Sequence, residues 1–115
     1  MKKLQHDQRT NRIAKLNDLL RKTFIIGGQM TSTGGIASLD ENTQAKIFQA
    51  VRTFDAFTID NDPYGEHDFG HVQVCGETIF WKIDYYDANL EYGSEDPSNP
   101  AITTRILTIM LAEEY

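Results

Sequence analysis

The chain has 115 residues, enough for one domain with its own core. Its net charge is -6, it holds a single cysteine, Cys75, and no apolar run approaches the ~20 residues that span a bilayer. An internal disulfide and a membrane-spanning helix are thereby excluded. With no signal-type apolar stretch after MKKLQHDQRTNR, a cytoplasmic protein is expected.

The charge is unevenly spread. Residues 1–24 carry a balance of +5, from Lys2, Lys3, Arg9, Arg12, Lys15, Arg21 and Lys22 against Asp7 and Asp18. The remaining residues carry -11. A body of that sign repels phosphate, so direct binding of nucleic acid through it is not expected, and a basic protein surface suits it better.

Taken along the chain, residues 4–24 read as an amphipathic helix. Ile13, Leu16, Leu20 and Phe24 fall at helical spacing with the basic residues opposite. Residues 1–10 lack apolar anchors and are expected to fray. Gly27-Gly28 is the expected helix stop, followed by a short strand from Met30 to Ile36 with a bend at Gly34-Gly35. Ser38-Leu39-Asp40-Glu41 fits a capping box, opening a second helix with Ala45, Ile47, Phe48, Val51 and Phe54 on its apolar stripe, to about Asp55.

The rest reads as β-structure. Phe69–Val74 alternates, Cys75-Gly76-Glu77 is a tight turn, and Thr78–Tyr86 places Ile79, Trp81, Ile83 and Tyr85 on one face. After a polar loop broken by Pro97 and Pro100, Thr103–Ala112 is almost continuously apolar, as a central strand would be. The expectation is one α+β domain over residues 1–115, with two helices packed on a small, mainly antiparallel sheet of three to four strands.

Several stretches carry a family likeness. NDLLRKTFIIGGQ, AKIFQAVRTFDAFT, DNDPYGEHDFG, FWKIDYYD, EYGSEDP and TRILTIMLAEEY resemble the domain-of-unknown-function 3768 family over about residues 15 to 115. The resemblance implies no assigned activity and so no residue roles. It implies a small bacterial protein of a kind often carried on plasmids and other mobile elements, with an accessory role such as countering host defence.

The densest chemistry lies between Asp60 and Asp87. Asp60, Asp62 and Gly65 begin like a calcium loop, but Tyr64 and His71 stand where further ligands belong. Glu66, His67, Asp68 and His71 are of metal-ligand type, yet Gly65 and Gly70 argue against the helix that would align the histidines. An ordered turn whose carboxylates accept backbone amides is the preferred reading, with no metal or cofactor. Asp84 is a candidate acid or base with His67 or His71, unless it pairs with Lys82 or Arg105. Cys75, at a turn, is a poor nucleophile. Tyr64, Phe80, Trp81, Tyr85, Tyr86 and Tyr92 would form a contact surface if one sheet face carried no helix.

Three functions remain. The first is a non-enzymatic binding or regulatory protein. It would present Asp60, Asp62, Tyr64, Glu66, His67, Asp68, Tyr86, Asp87, Glu91 and Tyr92 to a protein with a basic surface, such as a host nucleic-acid-processing protein. The second is a small enzyme using the acid–histidine cluster. The third is a ribonuclease-toxin-like fold that lacks the basic RNA-binding face. The basic helix could also pair with the acidic face of a second copy, giving a homodimer.

Overall fold

A computed structural model describes residues 2–115, with side chains from residue 7 onward. Helix α1 spans Lys2–Thr23, followed by strand β1 (Gln29–Ser32), a single helical turn α2 (Gly34–Ala37) and helix α3 (Glu41–Arg52). Strands β2 (Phe69–Val74), β3 (Glu77–Tyr86) and β4 (Thr104–Leu111) follow, and a 3-10 turn at Ala112–Glu114 ends the chain. The sheet order is β1-β4-β3-β2, with β1 parallel to β4 and the other pairs antiparallel. The fold is therefore α+β, with the apolar segment Thr104–Leu111 in an interior strand. No helix of the described residues is long and apolar enough to cross a membrane.

Strand alternation sorts the side chains into two faces. Ile79, Trp81 and Ile83 of β3 and Leu107 and Ile109 of β4 point to one side and are buried. Leu20 and Phe24 of α1, Ile36 of α2, and Ile47 and Val51 of α3 close over them in one core. Burying each such side chain contributes about 1.5–3 kcal/mol, so this single layer supplies most of the driving force. On the other face Phe69, Phe80 and Tyr115 pack edge to face, with ring centroids 5.4, 5.7 and 5.5 Å apart.

Several local expectations are corrected. Helix α1 stops at Thr23, before Gly27-Gly28, because Phe24 turns left-handed (φ 66°) to bury its ring, and the Thr23 hydroxyl accepts from the amides of Ile25 and Ile26. Its inner face also carries Asn17 and Arg21, which are buried rather than turned to solvent. Of the segment expected to fray, Met1 and the side chains up to residue 6 lie outside the described residues. From Asp7 the segment is helical, and Arg9 pairs with Asp96 at 3.2 Å.

The strand expected to reach Ile36 ends at Ser32, and Gly34–Ala37 curls instead, sinking Ile36 into the core. Glu114 holds this turn, accepting from Thr33 Oγ1 (2.5 Å) and the Gly35 amide (3.1 Å). Those donors keep its carboxyl below the usual range. The cap of α3 is Asp40, not Ser38. Asp40 accepts from the Thr43 amide at 2.7 Å, whereas the Ser38 hydroxyl is used on the Gly34 carbonyl at 2.7 Å. Ala45 is exposed, and α3 ends at Arg52. The turn at Cys75-Gly76 is as expected, both residues having positive φ (51° and 81°), the left-handed pair that a two-residue hairpin needs.

Gly70 shows how tightly β2 meets the core. It lies opposite Trp81, and a Cβ there would stand 2.7 Å from the indole Nε1. The indole is fully buried and cannot yield, so Gly70→Ala is expected to destabilise the fold by about 1–3 kcal/mol. Urea unfolding followed by Trp81 fluorescence measures this. An unchanged midpoint would contradict the packing described.

Candidate functional site

Helix α1 meets the end of the sheet through polar groups. Arg105, opposite Tyr85 on β3, points inward and is 1 % exposed. Its Nε donates to Asn17 Oδ1 (2.7 Å), its guanidinium also donates to the Pro97 carbonyl, and the charge lies 5.1 Å from the centre of the Tyr85 ring. The Asn17 amide donates to the Tyr85 hydroxyl oxygen (2.8 Å) and the Glu66 carbonyl (2.9 Å). Tyr85 in turn donates to Glu66 Oε1 (2.8 Å). Burial, and then the carboxylate of Glu66, push the Tyr85 hydroxyl pKa far up, although the Asn17 bond opposes them; Tyr85 is a neutral donor here. Burial lowers the Arg105 pKa, and the charge of Glu66 opposes that shift.

A second cluster adjoins the first. His67 has left-handed backbone (φ 57°), uncommon for a residue with a Cβ. Its ring stacks on Phe57 with centroids 3.8 Å apart and planes within 1°. Nδ1 lies 3.0 and 3.1 Å from the two oxygens of Asp18, an acceptor when ionised, so Nδ1 carries the proton. Nε2 lies 3.7 Å from Asp62 Oδ2, beyond hydrogen-bond reach. Asp18 also takes Arg21 NH1 at 2.7 Å, while Arg21 NH2 donates to the Phe54 carbonyl at 2.9 Å. The Arg21 guanidinium lies 5.2 and 5.4 Å from the Phe57 and Trp81 rings. Asp18, Arg21, Phe54, Phe57 and His67 wall one side of an open groove of about 510 Å³.

The ten residues singled out from sequence divide into two groups. Asp60, Tyr64, Glu91 and Tyr92 stand in solvent, with Tyr64 82 % and Tyr92 73 % exposed. The others also shape the loops. Asp62, its side chain 6 % exposed, accepts from the His67 amide at 3.2 Å. Glu66 and His67 belong to the clusters above. Asp68 is half-buried and its carbonyl takes the Ile83 amide at 2.8 Å. Asp87 Oδ1 accepts from the amides of Asn89 (3.1 Å) and Glu91 (3.0 Å), and Tyr86 bridges to Gly93.

Other candidates separate. Asp84 pairs with Lys82 at 2.9 Å on the sheet face away from α1, whereas Arg105 opposes Tyr85 and faces inward. His71 is exposed opposite Phe80 and apart from the His67 cluster. Cys75 is exposed at the hairpin turn. Among the described residues no three His, Cys, Asp or Glu side chains converge in a way that could hold a metal ion. Sequence reasoning missed Asn17, Asp18, Arg21 and Arg105 as members of a site. The available signal was spacing: Asn17 and Arg21 share the helical face of Ile13, Leu20 and Phe24, and Arg105 alternates in phase with Leu107 and Ile109.

The profile of a family described as proteins of unknown function (DUF3768) matches residues 32–114, and the chain belongs to that family. No curated protein and no solved structure matches it.

Two measurements probe the polar layer. Asn17→Ala strands the Arg105 and Tyr85 partners inside the fold and is expected to cost about 3 kcal/mol, against less than about 0.5 for Asp60→Ala in solvent; equal effects in urea unfolding would refute the layer. Asp68 supplies a pH test. Burial first, and then neighbouring Glu66, raise its carboxyl pKa above the ordinary value. The folded state therefore holds that proton to higher pH than the unfolded chain, and stability falls as pH rises from the ordinary carboxylate range through the raised value. Asp68→Asn is expected to flatten that part of the stability–pH curve and to stabilise the protein at neutral pH.

Proposed function

We propose that this protein of the DUF3768 family is a non-enzymatic binding protein. Its two acidic loops, residues 60–68 and 87–96, would occupy a basic surface on a partner protein. The observation that carries the reading is the pair of solvent-exposed tyrosines, Tyr64 and Tyr92, one at each loop, accompanied by the exposed carboxylates of Asp60, Glu91 and Glu95. Tyrosine supplies large contact area at low entropic cost, and hot spots are enriched in it. Carboxylates around such anchors steer a basic partner and discourage an acidic one.

Placement supports the same reading. Both loops lie at the end of the sheet where β3 finishes, and both flank the first half of α1. Gly65 approaches Thr10, and Asp96 pairs with Arg9. The loops are held in shape by Asp62, Glu66, Asp87 and Asp96, so little ordering cost falls on binding. A partner whose basic surface ordinarily holds nucleic-acid phosphate fits this charge pattern, and this chain would then be a mobile-element accessory factor occupying the basic surface of a host nucleic-acid-processing protein. The enzyme reading keeps only one of its two proposed partnerships, since Asp84 is tied to Lys82 on the face opposite His67, while His71 shares that face opposite Phe80, four residues along β3 from Asp84. The toxin-like reading would need a basic sheet, and the exposed face offers Lys82 already paired with a carboxylate.

The test is affinity capture from a bacterial lysate at low and moderate salt, with the retained partner then titrated against variants. Tyr64→Ala and Tyr92→Ala are each expected to weaken binding about tenfold or more. Combined Asp60→Lys, Glu91→Lys and Glu95→Lys should abolish salt-sensitive capture without loss of fold. Binding indifferent to both sets, or no partner retained at either salt, would overturn the reading.

A further inference from the structure

We propose that the groove between the C-terminal ends of α1 and α3 is a binding site for a small phosphate ester with an apolar or aromatic substituent. This site is separate from the tyrosine-bearing loop tips. Its walls are Asp18, Arg21 and Lys22 from α1, Arg52 at the end of α3, and the segment through Phe54, Asp55, Phe57 and His67. Its volume of about 510 Å³ falls within the roughly 300–1,000 Å³ usual for small-molecule sites, which combine an apolar lining with a few polar groups.

Charge selects the ligand class. In a chain of net charge -6, this groove carries three cationic side chains against the two carboxylates of Asp18 and Asp55. Asp18 is engaged by Arg21 and His67. Among the described residues neither Lys22 nor Arg52 has a carboxylate partner; Arg52 instead lies 4.2 Å from the centre of the Phe24 ring. Two cations free of a counter-ion beside an aromatic wall suit a phosphoryl group joined to an apolar body.

Cations in the last turns of helices also complement the macrodipole, which accounts in part for Lys22 and Arg52. It does not account for Arg21. That side chain lines the groove, is 1 % exposed, and keeps its Nε donor buried with no acceptor. The Nε has no exposed surface, so the guanidinium meets the groove as a charge behind its wall and not through that donor.

The probe is phenyl phosphate, titrated into the full-length protein labelled with ¹⁵N, with inorganic phosphate alongside. The expected result is saturable shifts confined to Lys22, Arg52, Thr53, Phe57 and His67, with tighter binding of phenyl phosphate than of inorganic phosphate. Lys22→Ala combined with Arg52→Gln should weaken binding by about tenfold, the worth of one lost charged hydrogen bond. Asp55→Asn should strengthen it by roughly two- to fivefold, as expected when one exposed like charge is removed. Lys22 is exposed, so Lys22→Ala alone serves if the double variant does not fold. Shifts that fail to saturate, that scatter over the surface, or that survive the Lys22 and Arg52 changes would overturn the site. Because the readout needs no protein partner, it stands or falls apart from the loop-docking reading.

Discussion

A desolvated guanidinium is the constraint on which this fold turns. Arg105 sits on an interior strand facing the core, where an unpaired charge would cost several kcal/mol. Its partners come from three separate segments: Asn17 on α1, Pro97 in the loop before β4, and the ring of Tyr85 on β3. Asn17 can serve Arg105 only with its oxygen, so its amide nitrogen must find acceptors elsewhere, and finds them at Tyr85 and Glu66. One buried arginine thus ties α1 to the sheet, through Asn17 to the far end of the first acidic loop at Glu66, and to Pro97 just after the second. A fully satisfied network of this kind contributes specificity of arrangement more than net stability.

That dependence divides the acidic residues by role. Glu66 and Asp62 share one loop with Asp60, yet the first accepts from Tyr85, the second holds the His67 amide, and only the third is free in solvent. Counting charge along the chain therefore overstates the charge available to a partner. The carboxylates used internally are what give the remaining ones a fixed position. A rigid display of few charges loses less entropy on docking than a mobile display of many.

The elements governed by local rules were legible in the sequence. The alternation of Phe69–Val74 and Thr78–Tyr86, the hairpin at Cys75-Gly76, and the interior place of the apolar final strand follow from period and turn chemistry alone. The Lys82–Asp84 pair follows from their shared sheet face. The buried polar layer was not legible, because an asparagine and an arginine on a helix read as solvent-facing until a partner is known. The partners of Asn17 lie 49 to 88 residues away along the chain, and the Phe54 carbonyl that Arg21 meets lies 33 away. The exchange of Ser38 for Asp40 as helix cap has a similar origin. Both fit the local pattern, and the choice falls to the turn at Gly34–Ala37, which occupies the serine.

His67 connects the two surfaces of the molecule. Its backbone belongs to the acidic loop, where Asp62 holds its amide, and its ring forms a wall of the groove, where Asp18 and Phe57 hold it. The left-handed backbone at this position is what lets one residue meet both demands, at a cost of order 1 kcal/mol. Residues that share a partner in this way do not contribute independently, so the effects of substitutions at Asp18, Phe57 and Asp62 are not expected to add.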